Sequence, residues 1–202
     1  MTDDDELLKK LKKEAYEDFQ FYTNPYKEER ERWTVSFFLH ALKIEHDIKD
    51  LISLEQNNPI DVRFNELNFQ IKEITNPHFK RSGFYKTIYK SLESAKSIDD
   101  ITLSGDAYDI SEVSSICDLI HQQCQLLSAE KYIDNKSDMD LLFYVTRHNA
   151  ALITDYDLKT DFSIFNFRSV SCINSKQAVV LFASQHAPVI IKNRIGITKI
   201  SS

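Results

Sequence analysis

Glycine is scarce, with three residues in 202, and proline adds only four. So few flexible or chain-breaking residues exclude a linker-rich, collagen-like or loop-dominated chain. Cysteine is equally sparse. Cys117, Cys124 and Cys172 show no C-x-x-C spacing and leave one thiol over, which fits small buried apolar residues in a reducing compartment rather than a disulfide framework. No apolar run approaches the ~18 residues of a membrane span, and the acidic opening "MTDDDELLKK" is unlike a signal peptide. A soluble, cytoplasmic protein is expected. Net positive charge is also missing: at -6 the chain lacks the basic surplus by which most polyanion binders are drawn to nucleic acid.

What is present is an ordinary globular mixture, 42% apolar and 28% charged. A chain of this length buries roughly 70% of its unfolded surface, enough for a core without staples. The charge is unevenly spread. Asp3, Asp4, Asp5, Glu6, Glu14, Glu17, Asp18, Glu28, Glu29 and Glu31 crowd the start, whereas Lys72, Lys80, Arg81, Lys86, Lys90 and Lys96 face only Glu73 and Glu93 between positions 72 and 96. That basic stripe, interleaved with Phe79, Phe84, Tyr85 and Tyr89, has the composition of a grip on a phosphate backbone.

Leu8, Leu11, Ala15, Phe19 and Tyr22 recur at helical spacing, so 4–22 reads as an amphipathic helix ended by Asn24-Pro25. Val35, Phe38, Leu39 and Leu42 mark a second helix over about 26–43. A hairpin is expected over 61–75 and a helix after Gly83, with Phe84, Ile88, Leu92 and Ala95 on its apolar side. Another helix should start near Asp109, capped there with Glu112 three residues on; its stripe is Val113, Ile116, Cys117, Ile120, Cys124 and Leu127. His121 beside that stripe reads as structural. "MDLLFYVTR" has the apolar character of a strand covered on both faces, "FRSVSCI" and "QAVVLFAS" form a strand pair, and "PVIIK" reads as a short edge strand. The whole is an α/β protein, a mixed sheet flanked by helices: an N-terminal helical extension over 1–24 and a single domain over 25–202.

The informative stretch is "NNPIDVRFNELNFQIKEI", residues 57–74. Side chains alternate along a strand, and opposed residues share a face. A turn centred on Glu66-Leu67 sets Asp61 against Lys72; one centred on Asn65-Glu66 sets Asp61 against Gln70. Either way Asp61, Gln70 and Lys72 share one side, and Val62, Phe64, Phe69 and Ile71 the other. Opposed β-carbons lie ~4.5–5.5 Å apart, close enough for two side-chain oxygens to share a hard cation such as Mg²⁺, which prefers oxygen ligands and keeps several waters. An acid, a second oxygen ligand and a lysine are the parts for phosphodiester hydrolysis.

Pro59-Ile60-Asp61 followed after eight residues by Gln70-Ile71-Lys72 resembles the PD-(D/E)xK, restriction-endonuclease-like, nuclease superfamily. With "ERERW", "PIDVRF" and "FQIKEI", and the later "FRSVSCI" and "VVLFA", the chain is similar over most of its length to a bacterial family of unknown function catalogued as endonucleases. The resemblance implies a restriction-endonuclease-like core, Mg²⁺ (or Mn²⁺) as cofactor, and DNA as the first candidate among nucleic acids. It also implies a metal and catalytic set of Asp61, Gln70 and an acid from the helix before the hairpin, best matched by Glu31, with Glu28 and Glu29 behind it. Lys72 is then the expected catalytic lysine, and the basic stripe makes Lys80, Arg81, Lys86 and Lys90 the expected nucleic-acid contacts. Double-strand cleavage calls for two copies, hence an expected homodimer. Gln70 departs from the usual Asp or Glu, though transposon-end nucleases of the superfamily are similar in carrying Q-x-K. It supplies an oxygen but no charge, which favours one metal ion over two. A nuclease-like fold without chemistry, serving to bind nucleic acid or to assemble, is the alternative.

Overall fold

The computed structural model describes residues 3–55, 57–77, 81–101, 113–130, 136–147 and 149–200. In chain order the helices are α1 (Asp3–Phe21), α2 (Lys27–Ala41), α3 (Arg81–Ser94), α4 (Ile116–Glu130) and the single-turn α5 (Val189–Lys192). The strands are β1 (Ile52–Ser53), β2 (Val62–Phe64), β3 (Leu67–Ile74), β4 (Ser114–Ser115), β5 (Asp140–Val145), β6 (Ala150–Ala151), β7 (Ser169–Ile173), β8 (Gln177–Ala183) and β9 (Gly196–Lys199). No helix among the described residues is long and apolar enough to cross a membrane.

The chain divides into two compact units. The first comprises Met1–Arg30 and Pro77–Asp109. Within it, α1 opens on Asp3, Asp4, Asp5 and Glu6, acids that complement the positive end of a helix dipole. Its apolar side meets α3 through Phe19, stacked on Tyr89 at 5.3 Å, and Tyr22, just past its last residue, stacks on Tyr85 at 4.2 Å. Lys12 Nζ donates to Ala95 O at 2.7 Å. Phe84, expected on the buried side of α3, is exposed instead, and Leu92 carries the burial.

The second unit comprises Glu31–Asn76 and Ile110–Ser202. Its mixed seven-stranded sheet runs β1-β2-β3-β5-β7-β8-β9, with β3, β5 and β7 parallel and the flanking pairs antiparallel. One face packs Val35, Phe38 and Leu39 of α2 on Val62, Phe64, Phe69 and Leu142, with Phe38 edge-on to Phe69 at 6.1 Å. The other packs Ile116, Ile120 and Cys124 of α4 on Ile74, Leu141, Phe143, Val170 and Cys172. The expected mixed sheet flanked by helices is therefore what the chain forms.

Two expectations differ in detail. "PVIIK" is not an edge strand. Ile191 N and Lys192 N bond back to Pro188 O, making one helical turn that buries Ile191, and β9 takes the sheet edge. The proposed Asp109–Glu112 cap lies outside the described residues. α4 as described begins at Ile116, where Ser115 Oγ accepts from Asp118 N at 3.2 Å, the hydroxyl cap favoured at helix starts. Val113 precedes the helix and is 70% exposed.

Candidate active site

The hairpin register is Val62 with Phe69 and Phe64 with Leu67, so the turn centres on Asn65-Glu66. Asn65 takes φ 50°, a left-handed conformation that its short polar side chain tolerates. This register sets Asp61 opposite Gln70. Asp61 N still donates to Phe69 O at 2.9 Å. One step on, Ile71 N donates at 2.8 Å to the Asp61 carboxylate, Oδ2, in place of a backbone carbonyl. The side chain thus extends the ladder one residue ahead of Val62, where β2 begins.

Gln70 Nε2 donates to that same Oδ2 and, at 3.4 Å, to Ile71 O. Both neighbours of the amide nitrogen are acceptors, which sets the orientation of the amide. Gln70 is buried to 4% exposure, whereas Asp61 is half-buried. Lys72 follows on the same face by alternation, in register with Phe143 and half-buried. Asp61 and Gln70 are therefore in contact, with Lys72 next along the same face of β3.

Glu31 is brought in from elsewhere. The residues of α2 that meet the sheet do so on the face of Phe69 and Val62, opposite the face carrying Gln70 and Lys72, and Glu31 sits one turn before Val35 on that helix. Glu28 and Glu29 are exposed. Glu73 also points to the α2 side, where its Oε1 accepts from Thr146 Oγ1 at 3.3 Å. Among the described residues, no group of three or more His, Cys, Asp or Glu is arranged to hold a metal ion. The donors that the hairpin does bring together, a carboxylate and an amide, are hard oxygen ligands. Their chemistry fits one Mg²⁺ that keeps most of its waters, not a pair of ions.

Of the basic residues, Lys80 lies outside the described residues, as does His78. Arg81, Lys86 and Lys90 are on α3; the Arg81 guanidinium lies over the Tyr22 ring at 4.8 Å, while Lys86 and Lys90 are exposed four positions apart. His121 is packed edge-on against Phe165 at 4.8 Å and Phe162 at 5.8 Å, a structural place. The cysteines are free and buried. Burial pushes the Cys124 thiol up to about 12 and moves Cys117 and Cys172 the same way, so all three stay protonated near neutrality.

Residues 3–201 match the model of the family described as "Putative endonuclease, protein of unknown function (DUF1780)". The chain belongs to this family. No curated protein matches it. Among solved structures, this DUF1780 chain is similar to a protein of unknown function from Pseudomonas aeruginosa strain PAO1, described as of the monooxygenase superfamily. The TM-score is 0.61 at 20% identity, over 100% of this chain and 98% of that one. At that identity the likeness speaks for the fold alone.

Proposed function

We propose that this protein hydrolyses phosphodiester bonds in nucleic acid, DNA first, as a divalent-metal-dependent endonuclease with the PD-(D/E)xK arrangement. The observation that carries this reading is the contact of Asp61 with Gln70 at the start of β2, with Lys72 on the same face. The metal is Mg²⁺, with Mn²⁺ as substitute. Asp61 would hold it, and the Gln70 amide, which orients the carboxylate at rest, would add its oxygen on turning over. When bound, such an ion acidifies a water and offsets charge on a phosphate. Lys72 places a positive charge beside the same phosphate and stabilises it as charge builds up. Glu31, from α2, is the acid proposed to join them as a ligand. Lys86 and Lys90, with Lys80 and Arg81, are the proposed phosphate contacts; a homodimer in the cytoplasm completes the proposal.

Lys72→Ala tests it. Removal of one transition-state-stabilising group costs ~10²–10³ in rate, so Mg²⁺-dependent cleavage should fall by that factor while circular dichroism stays unchanged. Full activity in the variant removes the assignment.

A second reading draws on the same contact. Gln70 adds no negative charge beside Asp61, where a carboxylate would hold a cation more firmly, which suits a fold kept for binding alone. Calorimetric titration of Mn²⁺ into wild type and Asp61→Ala separates the two: heat in the first and not the second supports the enzyme, and none in either supports the binding module.

A further inference from the structure

The chain has a single tryptophan, and the reaction proposed above does not use it. Trp33 stands 45% exposed on α2, although Thr34 and Val35 beside it are buried. Its ring is held from two sides. Phe37, one turn on, stacks at 5.4 Å with 24° between the planes, and Tyr144 of β5 meets it edge-on at 6.0 Å and 74°. An indole braced by two rings, with much of its surface in water, is a rigid π-face with little rotamer freedom left to lose on binding.

Its place in the sheet matters. Tyr144 pairs with Glu73 and Ile173, one residue before β5 ends, and Lys72 lies two residues before β3 ends. At ~3.3 Å per residue, both lie within ~7 Å of the carboxyl ends of the parallel strands, on opposite faces. Open α/β sheets bind ligands outside those ends.

We propose that Trp33, braced by Phe37 and Tyr144, stacks an unpaired nucleobase, so that the substrate is a single strand or a duplex with an unpaired strand. The base lies on the α2 side of the strand ends and its phosphate passes over them toward Lys72. The phosphate half of this statement rests on the nuclease reading; the stacking half does not. In a duplex both faces of a base are covered by its neighbours, so a lone indole face selects a base already out of the stack. Glu73 beside Tyr144 and the net charge of -6 give phosphates little attraction here. The share of binding that Trp33 supplies should therefore come from stacking and depend on salt only weakly, unlike the share supplied by the lysines.

The test uses the full chain in EDTA, titrated with single-stranded oligothymidylate of about 12 nucleotides, within the usual site sizes, and with a blunt duplex of equal length. Tryptophan emission and anisotropy of a labelled oligonucleotide are read together. The single strand should quench emission saturably and the duplex should not. Trp33→Ala should weaken single-strand binding by about 10-fold, the scale of one stacked base, and Trp33→Phe should keep most of it. Binding seen by anisotropy with unchanged emission, a Trp33→Ala variant equal to wild type, or no single-strand binding each overturns the proposal. Quenching without Mg²⁺-dependent cleavage keeps the platform and sinks the nuclease reading; cleavage without quenching does the reverse.

Discussion

Asp140 and Asp61 each accept a backbone N–H of β3, from Asn68 and Ile71 respectively, both at 2.8 Å. Beyond that they differ. Asp140 is 1% exposed. Arg168 donates to both of its oxygens, with Nε at 3.1 Å, and Ser169 Oγ donates at 2.7 Å. The same guanidinium reaches Glu66 O in the hairpin turn at 2.8 Å, so one ion pair ties the turn, β5 and β7 together. Asp61 does its backbone work at a half-buried position, and its side-chain neighbour Gln70 is a neutral amide. A carboxylate walled in and matched by a guanidinium serves the fold. One that solvent still reaches at the end of a strand can meet a substrate. The same side chain, bonded to the same strand, thus differs in exposure and in the charge of its partner, and the proposed reaction draws on the more exposed one.

Removal of Asp140 should have the largest effect. Asp140→Ala leaves the Arg168 guanidinium, only 11% exposed, without its carboxylate, and breaking a buried ion pair in this way costs ~3–5 kcal/mol. Urea unfolding should show that loss, while any protein still folded cleaves at the normal rate. A variant as stable as wild type would mean that the pair only fills space. Asp61→Ala should divide its effect differently: ~10²–10³ lost from Mg²⁺-dependent cleavage against about 1–3 kcal/mol of stability, the cost of leaving the Ile71 N–H unmatched. Cleavage and stability measured on one preparation check the split. If stability falls and cleavage does not, Asp61 belongs with Asp140.

Much of this contrast was legible in the residues. The alternation of Val62, Phe64, Phe69 and Ile71 placed Asp61, Gln70 and Lys72 on one side, and the register bears that out through the turn at Asn65-Glu66. That turn was one of two readings, because Asn65-Glu66 and Glu66-Leu67 are both short, polar-led pairs and only backbone geometry separates them. The helix spacing of Val35, Phe38 and Leu39 was equally plain. It could not say which face of the sheet the helix would cover. The acid of the Asp140–Arg168 pair is hidden in a run, "MDLLFYVTR", whose largely apolar character points to a covered strand. The signal was there: one acid and one arginine, each standing at the start of a strand-like run. "PVIIK" misled for a local reason: β-branched residues favour strands, but a proline ahead of them can equally open a helical turn.

The finest probe of the comparison is Gln70→Glu, which puts a second carboxyl against Asp61 where the amide now donates. Without metal the two like charges meet at a position only 4% exposed, and a lost hydrogen bond becomes a repulsion. A cost of about 1–2 kcal/mol is expected. Its pH dependence has a definite sign. Like charge and burial raise the folded-state titration of the pair above its unfolded value, so the folded form binds more protons and stability should fall as pH rises through that titration. Divalent metal should reverse the loss, since an ion binding only the folded state stabilises it by mass action. Thermal melts in EDTA and in Mn²⁺, at two pH values, read both effects. A variant that melts with wild type under all four conditions would show that the two side chains do not share a cation-sized space, and Asp61 would then be no more than the strand-end anchor that Asp140 is.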